Sequence, residues 1–425
     1  MSLFLALLPA LSPVEGLAAQ DPHPLKHRIL TTWDTWICED DPAGKSYLAE
    51  YKDLVDWMSR NDYNALIVWG FVDARHGGEP AAKDLARYAK SKGIALLPGV
   101  SAPAPICYAK PENRESLRTS MEALLEAYDV DGVHLETAEA GFDCGCVEHL
   151  SVCAPIVADV LRARRKEPLL TYAPGGSLWW ERKKAANDVL GLLPEACVAQ
   201  WNLELAQSDT PSPVKHNLAR LGAGGWSAHL RRRSTERAAF ALIRGFYPKL
   251  EDIRLFAVNA RKMAFEGFVA GVGGSPKSPD AELAYLAFLD FTRDPSLTME
   301  AFFKKHVPRL YGDAAAEDVA KLLLAQPALH EKAVPYWKAF EGKWPEGDAK
   351  EVAAALGAQV ALAKGAATKA SADGKRRLDA ILPILEEYRV ICEAAAAGIS
   401  DKGKLAEAYE KAGLPDDLYG YKKWK

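Results

Sequence analysis

The chain has 425 residues, of which 49% are hydrophobic and 26% charged, and its formal net charge is −4. These values permit one large domain with a smaller one, or two to three ordinary domains, each with a full core. No block of like charges stands out, the densest basic run being Arg231-Arg232-Arg233, which argues against nucleic acid as a partner.

Residues 1–20 read as a leader. Leu3 to Leu11 is an apolar run, followed by small residues at Gly16-Leu-Ala-Ala19 and polar ones from Gln20. The pattern is that of a secretory signal peptide lacking its basic start, so an exported protein is expected. The run is too short and proline-broken to span a membrane, and no other stretch approaches ~18 uninterrupted apolar residues.

From residue 21 to 279, short apolar β-rich runs alternate with helical ones. The first strand is expected over Arg28–Asp34 and the second over Tyr63–Gly70. Between them lies a helix with apolar positions at Tyr47, Leu48, Tyr51, Leu54, Val55 and Met58. A helix from about Pro80 to Ser91 precedes the third strand, Gly93–Val100, and a helix over Glu112–Tyr128 follows it. The fourth strand is Asp131-Gly-Val-His-Leu-Glu-Thr137. Here His134 and Glu136 alternate with Val133 and Leu135, so the two polar residues share one side. Pro168–Pro174 and Ala196–Asn202 give the fifth and sixth strands. The seventh falls between Asn217 and Ser227, where three glycines blur the pattern, and the eighth is Gly267–Val272 after a helix over Leu250–Phe265. Eight such units predict an α/β chain folded as a (β/α)8 TIM barrel.

Residues 280–425 read as helix only. Leu283, Leu286, Ala287 and Phe291 make one apolar stripe, and Phe302, Phe303, Val307 and Leu310 another, giving a C-terminal all-helical region.

In a barrel, chemistry gathers at the C-terminal ends of the strands. That rule selects Trp33 and Asp34 after the first strand, and Trp69, Arg75 and His76 after the second. It adds His134 and Glu136 on the fourth, Tyr172 on the fifth, Trp201, Asn202 and Glu204 at the sixth and Trp226 near the seventh. The set is aromatic and acidic, which suits a carbohydrate: ring faces stack on Trp while hydroxyls meet carboxylates and amides. Glycoside hydrolysis needs two carboxyl groups, one protonated and one ionised, on either side of the scissile bond. Glu136 is the expected acid, and Glu204 or Asp34 its partner. Two bland alternatives stay open: Glu136 as a structural acid paired with an arginine, and His134 as a histidine bonded inside the barrel mouth.

The Gly-Val-His-Leu-Glu-Thr strand with the Cys-x-Cys loop after it resembles the barrel glycoside hydrolases. So does the stretch from Ala281-Glu-Leu-Ala-Tyr-Leu-Ala-Phe288 through Asp294-Pro-Ser-Leu297 to Leu310-Tyr-Gly312. Within that group the chain looks like the α-glucuronidases and the hexosaminidase-like (family 20-like) barrel proteins of polysaccharide-degrading bacteria, over roughly residues 28–312. The resemblance implies an exported, cofactor-independent glycosidase with its acid at Glu136, acting on a poly- or oligosaccharide. Two departures stand out. β-Hexosaminidase-type enzymes carry an adjacent Asp-Glu pair on strand four, where this chain has Leu135-Glu136. In the strand-eight loop, where relatives often carry an acid after glycine, stand Gly273-Gly274-Ser275. Both lend weight to the alternative of a non-catalytic carbohydrate-binding protein on a degenerate barrel.

Cys144, Cys146, His149 and Cys153 bring four soft ligands within ten residues. A structural zinc ion, free thiols, or one disulfide from Cys153 to Cys144 or Cys146 are all compatible with that spacing. The nine histidines are too scattered to favour a metal-dependent hydrolase, and nothing in the pattern sets an oligomeric state.

Overall fold

The computed structural model describes residues 25–32, 47–102, 106–108, 110–137, 149–165, 167–173, 194, 197–203, 217–221, 250–262, 264–270, 279–338 and 344–414. Eight parallel strands form its centre: β1 (His27–Thr32), β2 (Ala65–Val68), β3 (Ala95–Ala102), β4 (Gly132–Thr137), β5 (Leu169–Ala173), β6 (Cys197–Leu203), β7 (Asn217–Leu221) and β8 (Gly267–Ala270). They pair in sequence order, and β8 returns to β1 with Ile29 in register with Val269, so the sheet closes. The expected strands correspond to the observed ones within a few residues at each end.

Closure gives every strand an inner and an outer face at a period of two. Ile29, Ala65, Ile67, Leu97, Val198 and Val269 form a compact inner cluster, with Trp69, Ala95 and Leu169 packed against it. Their neighbours Leu30, Leu66, Val68, Leu96, Val133, Leu135, Leu170, Tyr172 and Phe268 belong instead to the large cluster shared with the helices. Both sets are apolar, as expected of parallel strands covered on both sides.

Helices α1 (Tyr47–Arg60), α2 (Gly78–Ser91), α3 (Pro111–Ala127) and α4 (His149–Arg164) follow the first four strands, and α5 (Leu250–Lys262) lies between β7 and β8. The buried residues of α1 are Tyr47, Tyr51, Leu54, Val55 and Met58, the stripe read from sequence. Chain segments between β5 and β6, and between β6 and β7, fall largely outside the described residues, as does the expected leader.

α6 (Pro279–Arg293) packs on the barrel itself. Phe288 stacks on Phe268 of β8 with ring centroids 5.6 Å apart, and Tyr63 donates a 2.8 Å hydrogen bond to the carbonyl of Tyr285. Beyond it come α7 (Met299–Tyr311), α8 (Ala316–Lys338), α9 (Ala349–Ala367), α10 (Ala372–Ala396) and α11 (Lys402–Lys411), with no strand among the described residues past β8. Side-chain caps fix their starts: Thr298, Asp348, Ser371 and Asp401 each accept a hydrogen bond from a backbone N–H three residues on. A buried node ties this region to the barrel. Glu282 of α6 accepts from the Trp57 indole of α1 at 3.2 Å and from Arg377 Nε of α10 at 2.8 Å, and Arg377 also donates to the carbonyl of Leu310. No helix among the described residues is long and apolar enough to cross a membrane.

Candidate active site

β4 and β5 lie side by side with Gly132 opposite Leu169, His134 opposite Thr171, Leu135 opposite Tyr172 and Glu136 opposite Ala173. Residues in register share a face, so His134, Glu136 and Thr171 stand together while Leu135 and Tyr172 stand together on the other side. Gly132 permits this pairing, because a Cβ there would fall 1.9 Å from the carbonyl oxygen of Leu169.

Glu136 sits one residue before the C-terminal end of β4 and is 7% exposed. Its Oε2 has no hydrogen-bond partner among the described residues, and His134 Nε2 lies 3.6 Å from it. That distance is too long for a hydrogen bond. His134, also buried, is hydrogen-bonded through Nδ1 to Thr171 Oγ1 at 2.9 Å. The indole of Trp69 meets the imidazole edge to face, with ring centroids 5.5 Å apart. Trp69 reaches that place by lying over the backbone of Gly99, where any Cβ would come within 2.6 Å of the indole. Gly99 is itself in register with His134 across β3 and β4.

The structure therefore brings Trp69, His134 and Glu136 together, as the strand ends suggested, and adds Thr171 and Gly99. Thr171 carries a sequence signal of its own: it is a polar residue inside the apolar run Leu169–Ala173, in the phase of His134. Gly99 carried none, since its importance lies in an aromatic ring that approaches from another strand.

Two expected sugar-binding residues are placed elsewhere. Tyr172 is fully buried in the cluster between strand and helices, on the opposite ladder face from Glu136. An aromatic at the end of a strand points into the mouth only in the inward phase, and Tyr172 has the outward one. His76, in a short 3-10 turn over Ala74–His76, is also buried. Its ring stacks on Tyr47 at 4.3 Å and its Nδ1 lies 3.0 Å from the Gly70 carbonyl, so it anchors the loop after β2 to α1. Arg75 occupies the same turn.

Trp201 and Asn202 lie on β6, in register with Ala219 and Arg220 of β7. Trp33, Asp34, Glu204 and Trp226 lie outside the described residues, so both expected partners of Glu136 do too.

The cysteine segment is corrected in one respect. Cys153 is a free thiol buried in α4, so it forms no disulfide with Cys144 or Cys146. Burial pushes its thiol up to about 12, against a smaller lowering by the Arg114 charge, which makes it a packed and unreactive group. His149 opens α4, while Cys144 and Cys146 lie outside the described residues. Among the described residues no group of three or more His, Cys, Asp or Glu is placed to hold a metal ion.

No protein-family model matches the chain, and no curated protein does. Solved structures do. A mutant form of an O-GlcNAc hydrolase of Thermobaculum terrenum is similar at a TM-score of 0.57 and 13% identity, over 91% of this chain and 87% of that one. A GH138 enzyme targeting pectin rhamnogalacturonan II is similar at 0.54 and 13%, over 95% and 77%. The protein CpGH84B is similar at 0.54 and 12%, over 94% and 72%. At these identities the likeness is one of fold.

Proposed function

We propose that the chain is a glycosidase that hydrolyses a poly- or oligosaccharide through a pair of carboxyl groups at the C-terminal rim of a (β/α)8 barrel. The observation that carries this reading is Glu136, a buried carboxyl at the end of β4 with one oxygen unpartnered among the described residues and a histidine beside it. A buried polar atom without a partner is costly, and at the mouth of a barrel a ligand that supplies the missing bond would justify it. Asp34 and Glu204 remain the proposed partners of Glu136. Trp33, Trp69, Trp201, Asn202 and Trp226 are proposed to contact the sugar, with Arg75 beside them.

The same reading divides the chain into an export leader over residues 1–20, a catalytic barrel over 21–279 closed by α6, and a helical remainder to 425. It places the protein outside the cytoplasm. The substrate classes that the sequence resemblance implies are N-acetylhexosaminides and uronides, and two of the similar structures are an O-GlcNAc hydrolase and an enzyme targeting a pectin.

The test is a panel of chromogenic glycosides that includes both classes, with E136Q as control. Turnover by the wild type and its near-complete loss in E136Q is the expected result. A variant that keeps the wild-type rate on a true substrate overturns the assignment. Leu135 favours one second reading, because it stands where hexosaminidase-type enzymes carry the Asp of an Asp-Glu pair and it is buried on the outer face. Saturable sugar binding by the wild type with no turnover of any glycoside would identify a carbohydrate-binding protein instead.

A further inference from the structure

We propose that the groove between α3 and α4, on the outside of the barrel, is a binding site of its own, for a small organic anion with an apolar body, such as an aliphatic carboxylate. The inference stands apart from the hydrolase reading, since none of the residues that line the groove belongs to the candidate active site.

Helical periodicity builds the two walls. Arg114, Glu115 and Arg118 recur at spacings of three and four along α3 and so share one stripe, and Val152, Pro155 and Ile156 do the same along α4. One wall is therefore charged and the other aliphatic. Leu117, Met121 and Leu125 take the next face of α3 into the core, which leaves the arginine stripe to the groove. The space between the walls is about 390 Å³, near the lower end of the range of about 300–1,000 Å³ that small-molecule sites occupy.

The charges favour an anion. Arg114 is held through its Nε, which donates to the carbonyl of Tyr108 at 2.7 Å. Arg118 stands one turn further on, with its Nε 4.0 Å from Glu115 Oε2. The Glu115 side chain is 73% exposed, so water solvates its carboxylate and the pairing at that distance is weak. Two guanidiniums against one solvated carboxylate leave the wall net positive, and Pro111 at the start of α3 adds the positive end of the helix dipole to it. A carboxylate gains charge-assisted hydrogen bonds from such a wall, while an apolar body covers Val152, Pro155 and Ile156 on the other side. The lining holds no aromatic ring and no side-chain amide, the groups that suit a neutral sugar, so the groove selects a different class of ligand from the one the barrel mouth does.

Fluorescence titration of the full-length protein with anilinonaphthalene sulfonate, an anion with an apolar body, tests this, with octanoate and octanol as competitors. The expected result at neutral pH and low salt is a single saturable site that octanoate empties and octanol, at the same concentration, does not. Its dissociation constant should rise about tenfold in Arg118→Gln and in Val152→Glu, the second of which sets a like charge on the aliphatic wall. In Glu115→Gln, which removes a like charge already present, it should fall about two- to threefold. Arg118 and Glu115 lie on the helix surface, so R118Q and E115Q are expected to fold as wild type and keep the test open if V152E does not. Absence of saturable binding overturns the proposal. So does binding that R118Q leaves unchanged, which would mean that the dye sits elsewhere. Equal displacement by octanol and octanoate would show a groove without preference for an anion, and the proposal fails on that result too.

Discussion

Two buried glutamates, Glu136 in the barrel mouth and Glu282 at the junction with the helical region, are 7% and 6% exposed, yet they are treated in opposite ways. Glu282 has a donor for each oxygen, Trp57 Nε1 for one and Arg377 Nε for the other. Glu136 has an oxygen with no hydrogen bond among the described residues and a histidine standing just out of reach. Glu282 is a structural carboxylate, paired, bonded and used to fasten one helix to another, whereas Glu387 of α10, fully buried, accepts from the Tyr409 hydroxyl through one oxygen and has no hydrogen bond at the other among the described residues. Among the described residues the buried glutamate paired with an arginine is Glu282. Asp290 belongs with Glu282, its two oxygens taken up by His306 and Lys305 at 2.7 Å.

The contrast can be broken by experiment, and the largest effect is expected at Glu136. E136Q should lower turnover by a factor on the order of 10³–10⁴, about 4–5.5 kcal/mol of transition-state stabilisation, while its urea unfolding curve stays close to wild type. Loss of stability on the scale of a broken ion pair would show that Glu136 is structural after all.

Arg377 should behave in reverse. R377M leaves Glu282 buried with half its donors, which should cost about 3–5 kcal/mol in urea unfolding, and the double variant E282L/R377M should recover most of it. Equal instability in the single and double variants would mean that packing, and not the uncompensated charge, carries the junction.

A smaller effect is expected at Gly99. A methyl group there would meet Trp69 at 2.6 Å, so G99A must displace the indole or the strand, at about 1–3 kcal/mol. Sugar binding should weaken along with stability, read by titration of a bound glycoside. An unchanged dissociation constant would remove Trp69 from the binding surface.

The smallest effect is one of pH. Burial on its own would raise the Asp290 carboxyl, but hydrogen bonds from His306 and Lys305 outweigh it and hold the group below the ordinary aspartate value of 3.8. A folded-state value depressed in this way adds stability that is complete above pH 3.8 and disappears as the pH falls through the folded value. D290N lacks that contribution, so its unfolding midpoint should trail wild type at neutral pH and converge with it on acidification. A gap that widens on acidification would reverse the sign and refute the pairing.

Much of the barrel was legible because its signals are local. Apolar runs of four to eight residues, separated by helical stripes, mark strands regardless of what they pair with. Even the weak seventh strand emerged inside the interval predicted for it, as Asn217–Leu221. The candidate site was legible only in its strand-four part. His134 and Glu136 declared themselves by alternating with Val133 and Leu135 on one strand. Tyr172 misled because an aromatic beside a strand end looks the same in either phase, and His76 because a histidine in a loop shows nothing of the ring it stacks on.

By itself the sequence determined the order of the strands, the helical character of the last third, and the shared face of His134 and Glu136, since period and propensity act over neighbouring residues. Only the tertiary structure decided that Thr171 stands opposite His134, that Trp69 lies across Gly99 to meet the same ring, and that Tyr172 turns to the helices. Those facts depend on the register between strands, which is fixed by hydrogen bonds and barrel stagger between residues some 35 positions apart, beyond the reach of any local pattern.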